Sequence, residues 1–112
     1  MKKFLFIDDD QQWLASLRRV FRKKDNVFFA ECHSVQEALE AVATHQPDIL
    51  FLDHSLTEGG DEGLDVVKEL QGSGIIIYST TAYTHLADVY AKYGVEVVGK
   101  MNLVRIKEII TG

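Results

Sequence analysis

Five short apolar runs, each separated from the next by a stretch with helical spacing, constrain this chain of 112 residues more than any other feature. They are Phe4-Leu5-Phe6-Ile7, Val27-Phe28-Phe29-Ala30, Ile49-Leu50-Phe51-Leu52, Ile75-Ile76-Ile77-Tyr78 and Val95-Glu96-Val97-Val98. Most lack the polar alternation of a strand with one wet face. Strands apolar on both sides belong in a parallel sheet covered by helices above and below.

The intervening segments supply those helices. Residues 11–24 set Leu14, Leu17, Val20 and Phe21 on one face, with Asp10 at the N-cap position. Ser34 and Glu37 form a capping-box pattern ahead of 35–43, and Pro47 marks the stop before the third strand. Leu64, Val67 and Leu70 suit a third helix ended by Gly72 and Gly74, while Leu86, Val89, Tyr90 and Tyr93 suit a fourth ended by Gly94. Asn102 is placed to cap a short fifth helix carrying Leu103, Ile106 and Ile110. The whole reads as (βα)5, an α/β fold with right-handed crossovers in one domain over residues 1–112.

Composition removes several function classes. No apolar run approaches the ~20 residues of a membrane span, and three aspartates cut short the Lys2-Lys3-Phe4 start that superficially imitates a signal peptide. The single cysteine, Cys32, has no internal disulfide partner, so a reducing cytoplasm is the expected location. A net charge of −5 argues against nucleic acid as a direct partner, and no membrane partner is expected.

In open α/β sheets, ligands gather at the carboxyl ends of the strands. Asp8, Asp9 and Asp10 follow the first run here, and Asp53 follows the third. Ser79 and Thr80 end the fourth, and Lys100 follows the fifth. Any one such aspartate is ordinarily a helix cap or a solvated turn residue; the set is harder to dismiss. Carboxylates crowded on one rim repel each other, and a divalent cation relieves that. Oxygen-only ligands suit Mg2+, and a carboxylate can itself accept a phosphoryl group. Metal, ammonium and hydroxyl are the groups that stabilise charge on a transferring phosphoryl group.

These segments resemble the receiver domains of two-component response regulators. Phe4-Leu5-Phe6-Ile7-Asp8-Asp9-Asp10 is similar to that family's first strand and acidic pair, and Pro47-Asp48-Ile49-Leu50-Phe51-Leu52-Asp53 to its third strand. The resemblance implies a doubly wound, flavodoxin-like five-stranded parallel sheet in the order 2-1-3-4-5. It implies Asp53 as phosphoacceptor, with Mg2+ held by Asp8, Asp9, Asp53 and the backbone carbonyl of Ser55. Lys100 matches the lysine that pairs with the phosphoryl group. For the site hydroxyl it favours Ser79, fifteen residues before Gly94, with Thr80 beside it. Thr80 itself is an alternative, and Thr81-Ala82 imitates the family's Thr-Ala pair but shortens that interval.

The implied partners are a sensor histidine kinase or a histidine phosphotransfer protein, with a second copy or a downstream effector receiving the change of shape. Such a chain catalyses only its own phosphorylation and dephosphorylation. Three features depart from the family pattern: a loop from Asp53 to Gly63 about two residues longer than usual, Met101 in place of a proline, and Val97 in place of an aromatic. They point to an altered relay.

Two rivals belong to other classes. In a haloacid-dehalogenase-type phosphohydrolase, Asp8 would be the nucleophile and Asp10 the acid–base, but only Glu108 follows Lys100 as a further acidic ligand. A pseudo-receiver would keep the fold as an interaction module without accepting phosphate. A flavodoxin-like nucleotide binder is weaker, since no glycine-rich loop follows the first strand. His33, His45, His54 and His85 show no metal-ligand spacing, although His54 could line the site beside Asp53.

Overall fold

A computed structural model describes residues 1–112, the side chain of Thr84 excepted. Strands and helices alternate: β1 (Phe4–Asp8), α1 (Gln11–Val20), β2 (Val27–Glu31), α2 (Val35–His45), β3 (Ile49–Asp53) and α3 (Glu62–Glu69). Then come β4 (Ile76–Thr81), a short 3-10 turn (Thr84–Leu86), α4 (Ala87–Ala91), β5 (Glu96–Gly99) and α5 (Leu103–Thr111). The strands form one parallel sheet in the order β2-β1-β3-β4-β5, the expected doubly wound arrangement.

Side-chain alternation along the strands splits the core in two. Phe6 and Phe51 face the layer of α1 and α5, packing against Leu14, Leu17, Ile106 and Ile110. Their rings stack at a centroid separation of 4.4 Å. Leu5, Ile7, Leu50 and Leu52 face the other layer, with Val66 and Val67 of α3 and Tyr90 of α4. Every residue of β1 and β3 is buried, which explains why those runs show no polar alternation. Each large apolar side chain so buried contributes ~1.5–3 kcal/mol, enough to make the central strands the stiffest part of the sheet.

The caps follow the sequence closely. Asp10 Oδ1 accepts from the amides of Gln12 and Trp13, Ser34 Oγ from Glu37, and Asn102 Oδ1 from Arg105. Glu37 returns to the amide of His33 and not to that of Ser34, so the capping box is one residue wider than its ideal form.

Four boundaries differ from expectation. Helix α1 stops at Val20, where Phe21 turns inward and the Lys24 amide bonds to its carbonyl; Val20 itself is exposed and does not join the inner face. Strand β4 begins at Ile76 and runs on to Thr81, so Ser79 and Thr80 lie inside the strand and not behind it. The fourth helical segment is a 3-10 turn followed by only five α-helical residues, and none of the described side chains caps it. Strand β5 starts at Glu96, with Val95 buried just ahead of it.

Candidate functional site

The carboxyl edge of β1, β3 and β5 brings four of the sequence-predicted residues together. One carboxylate oxygen from each of Asp8, Asp9 and Asp53 lies within 4.8 Å of the others. Lys100, just past β5, reaches in from the α1/α5 layer. Its Nζ sits 2.8 Å from Asp8 Oδ2 and 3.3 Å from Asp53 Oδ2, and 5.1 Å above the centre of the Trp13 ring.

Asp8 is fully buried. Its Oδ1 accepts from the Asp10 amide at 2.8 Å, which fixes the carboxylate against the start of α1. Its Oδ2 forms an ion pair with the Lys100 ammonium at 2.8 Å.

The electrostatics agree. Burial, then the charge of Asp8, pushes the Asp53 carboxyl up to about 7, with Lys100 pulling the other way. Burial also raises Asp8, opposed by Lys100 and the Asp10 amide. Burial depresses Lys100, but its two carboxylate partners outweigh that and hold it above the ordinary lysine value. One ammonium thus serves two buried acids, and charge compensation is incomplete. Three hard carboxylate donors with a single ammonium against them fit a small divalent cation such as Mg2+.

The hydroxyls are arranged differently from expectation. Register pairs Asp53 with Thr80 and Leu52 with Ser79. Ser79 therefore points to the α3/α4 layer, away from the Asp53 side chain, where its buried Oγ neighbours the Tyr90 hydroxyl without a well-directed hydrogen bond. Thr80 shares the Asp53 face, yet its hydroxyl is also buried and unpartnered. Thr81 ends the strand. Its Oγ1 accepts from the Tyr83 amide at 3.0 Å, and its carbonyl accepts from the Lys100 amide at 3.3 Å. Thr81 also lines a cleft of about 790 Å³ together with Trp13, Ala82, Lys100 and Met101.

The Thr81-Ala82 pair stands at the shorter interval to Gly94, and α4 within that interval is five residues long. Ser55, two residues past Asp53, is half-buried, with its hydroxyl donating to the Gly60 carbonyl at 2.6 Å.

Near Asp53, the long loop is closed by Glu62, whose Oε1 accepts from the amides of Leu56 and Thr57. The Gly63 amide donates to the His54 carbonyl at 2.8 Å, clamping the backbone behind the acid. His54 leaves the strand on the face opposite Asp53, and its Nδ1 lies 2.6 Å from the Tyr90 hydroxyl. Burial lowers the His54 pKa and pushes Tyr90 up to about 12, so the bond joins a neutral imidazole and a neutral phenol. Cys32 is buried and raised to about 11, chiefly by burial, which suits a packing residue and not a nucleophile.

Comparison with known proteins points one way. Sensory transduction protein LytT of Bacillus anthracis is 32% identical over 99 residues, 87% of this chain. LytT of Bacillus cereus matches to the same extent, and the chain spans only 38% of the length of either relative. Among solved structures, response regulator TrrA of Thermotoga maritima in complex with Mg2+-BeF superposes with a TM-score of 0.77 at 23% identity, covering 99% of this chain and 97% of that one. The BeF3-activated receiver domain of RstA from Klebsiella pneumoniae gives 0.78 at 20% identity, covering 97% and 96%. At that identity these two establish the fold alone.

Receiver domains as a class are signalling phosphoacceptors that bind Mg2+ and work with histidine kinases. No helix among the described residues is long and apolar enough to cross a membrane. With the family model for the response regulator receiver domain matching residues 4–102, the chain belongs to that family.

Proposed function

We propose that this chain is a working phosphoacceptor: Asp53 takes a phosphoryl group from a phosphohistidine on a sensor kinase or phosphotransfer protein. The observation that carries this is the meeting of Asp8, Asp9, Asp53 and Lys100 on one rim, with charge compensation left incomplete. The phosphorus–nitrogen bond of the donor breaks, a bond from Asp53 oxygen to phosphorus forms, and the donor imidazole leaves with the electron pair. Asp8, Asp9, Asp53 and the Ser55 carbonyl would hold Mg2+, which when bound supplies charge neutralisation for the phosphoryl oxygens. Lys100 keeps its proton throughout and pairs with a phosphoryl oxygen.

For the hydroxyl that meets the phosphoryl group, the cleft that Thr81 lines together with Trp13 and Lys100 supports Thr81 over Ser79 and Thr80. Its Oγ1 already accepts from the Tyr83 amide, which leaves its proton free to donate. The expected consequence of phosphorylation is a shift in a two-state equilibrium that favours a second copy or a downstream effector.

The haloacid-dehalogenase reading loses its acid–base. The Asp10 carboxylate is exposed and engaged in capping α1, and Asp8 is committed to Lys100 and the Asp10 amide.

Intact mass after incubation with Mg2+ and acetyl phosphate tests the proposal. One added phosphoryl group is expected in the wild type, and none in Asp53→Asn or on chelation of the metal. A folded wild-type protein that gains no mass and binds no beryllofluoride would leave the pseudo-receiver reading in possession of the site.

A further inference from the structure

The buried pair His54–Tyr90 lies outside the acid site yet touches both the strand that carries the phosphoacceptor and the shortest helix of the fold. Among the described residues Tyr90 is the largest fully buried side chain, and it comes from a helix of five residues that none of them caps with a side chain. So short a helix has little stability of its own and depends on tertiary anchoring. Tyr90 supplies that anchor through its ring, in the core against β3 and β4, and through its carbonyl, which accepts from the amides of Tyr93 and Val95. Its hydroxyl ends 2.6 Å from His54 Nδ1, with the two rings edge to face at 5.6 Å.

His54 is the next residue after Asp53, and strand alternation sends the two side chains to opposite faces of the sheet. The backbone between them is gripped from outside: Gly63 donates to the His54 carbonyl, and a Cβ at position 63 would collide with the Asp53 carbonyl oxygen. A displacement of the Asp53 main chain therefore turns the His54 ring beneath it. On β5, the residue level with Ser79 is Val97, which has no polar atom to take part in a hydrogen-bonded link.

We infer that Tyr90, through its hydrogen bond to His54, is the residue that ties the position of α4 to the state of Asp53. His54 and Tyr90 are positioning residues: neither touches the phosphoryl group. The inference rests on the phosphoacceptor reading for what drives the displacement, but not for the existence of the tie.

The test has two arms. The first uses the unphosphorylated protein and needs no ligand. In Tyr90→Phe, which keeps the ring, amide exchange across residues 87–91 should quicken roughly tenfold, the factor one buried hydrogen bond is worth. His54→Phe should do the same, and the double variant should add nothing further, as expected for two ends of one interaction. Unchanged exchange in both single variants, or additive effects in the double, overturns the tie.

The second arm adds Mg2+ and beryllofluoride and compares amide shifts of α4 with those of Lys100 and Thr81. Wild type should respond in both regions. The two single variants should keep the response around Lys100 while the α4 shifts shrink at least about threefold, a loss that mere loosening of the helix would not produce. A full α4 response in either folded variant overturns the inference. If the wild type itself binds no beryllofluoride, the phosphoacceptor reading fails, and the first arm still decides whether His54 holds α4.

Discussion

On the β1–β3 side of the carboxyl edge, strands buried along their whole length end in acids whose positions the backbone fixes. On the β4–β5 side, the edge strand is four residues long, α4 is one turn and a fraction, and Met101 and Val104 stand almost bare. The first side concentrates charge that the fold only partly compensates. The second concentrates unpaired hydroxyls and an apolar surface, which cost less to rearrange. A switch needs both: a rigid place to deposit charge, and a marginally held element whose position that charge can bias.

The stiffness of the acid side can be broken most directly at Gly63. A Cβ there would lie 2.8 Å from His54 Cα and closer still to the Asp53 carbonyl oxygen, both backbone atoms that cannot swing aside. Gly63→Ala should cost ~3 kcal/mol or more in urea unfolding, or push α3 outward and detach the loop from Asp53. Gly72, by contrast, has a positive φ of 83° and open space around its Cβ position. Gly72→Ala should cost only ~1 kcal/mol, from backbone strain alone. Equal costs at the two sites would mean that the loop yields freely and that the acid side is not the rigid partner.

Charge on the acid side has a pH signature whose sign follows from the raised carboxyl. Asp53 ordinarily ionises near 3.8 and is pushed up to about 7 in the folded state. Between those values the native protein holds a proton that the unfolded chain has released. The contribution of this carboxyl to stability is then fullest below pH ~4, falls as pH rises toward ~7, and levels off above. At ~1.4 kcal/mol per unit the ceiling is about 4 kcal/mol. Asp53→Asn also gives up one ion pair with Lys100, so a gain of ~2 kcal/mol at pH 8 is expected, with a flatter pH profile. Mg2+ should close the gap at pH 8 in the wild type and leave the variant nearly unmoved. Thermal melts from pH 4 to 8 with and without the metal check all three statements, and a wild type that gains stability through that window would sink them.

The same division governs how much could be read from the residues alone. Asp8, Asp9, Asp53 and Lys100 each follow a strand whose apolar run is unambiguous, and in a parallel sheet the residue after such a run must emerge at the carboxyl edge. Asp10, Ser34 and Asn102 cap helices because their side chains reach amides two or three residues on, a local rule that tertiary structure did not disturb. The fourth strand carried no such punctuation. Ser79, Thr80 and Thr81 are polar yet buried, so the apolar run ended at Tyr78 while the strand continued to Thr81. The observed pairing puts Thr80 on the Asp53 face and Ser79 on the opposite one. Likewise, helical spacing from Leu86 to Tyr93 suggested a longer α4; without a capping side chain only five residues form one. The His54–Tyr90 bond is a contact between residues 36 apart in sequence, and nothing in either local segment announces it.

The smallest expected effect sharpens the assignment of hydroxyls. Thr80 is fully buried, pairs with Asp53 in the ladder, and its Oγ1 has no hydrogen-bond partner. Valine has nearly the same shape without the hydroxyl, so Thr80→Val removes the desolvation cost of an unsatisfied group and leaves packing intact. A gain of ~1 kcal/mol in the unphosphorylated protein is expected, with uptake of phosphoryl from acetyl phosphate unchanged. Thr81→Ala should do the reverse: a loss of ~1 kcal/mol, because the Tyr83 amide loses its buried partner, and uptake slower by roughly tenfold. Should Thr80→Val lose stability and uptake together, its hydroxyl has a partner in solution on the acid side. The boundary between the two halves of the edge would then fall after Thr80, with Thr81 no longer the hydroxyl that serves the site.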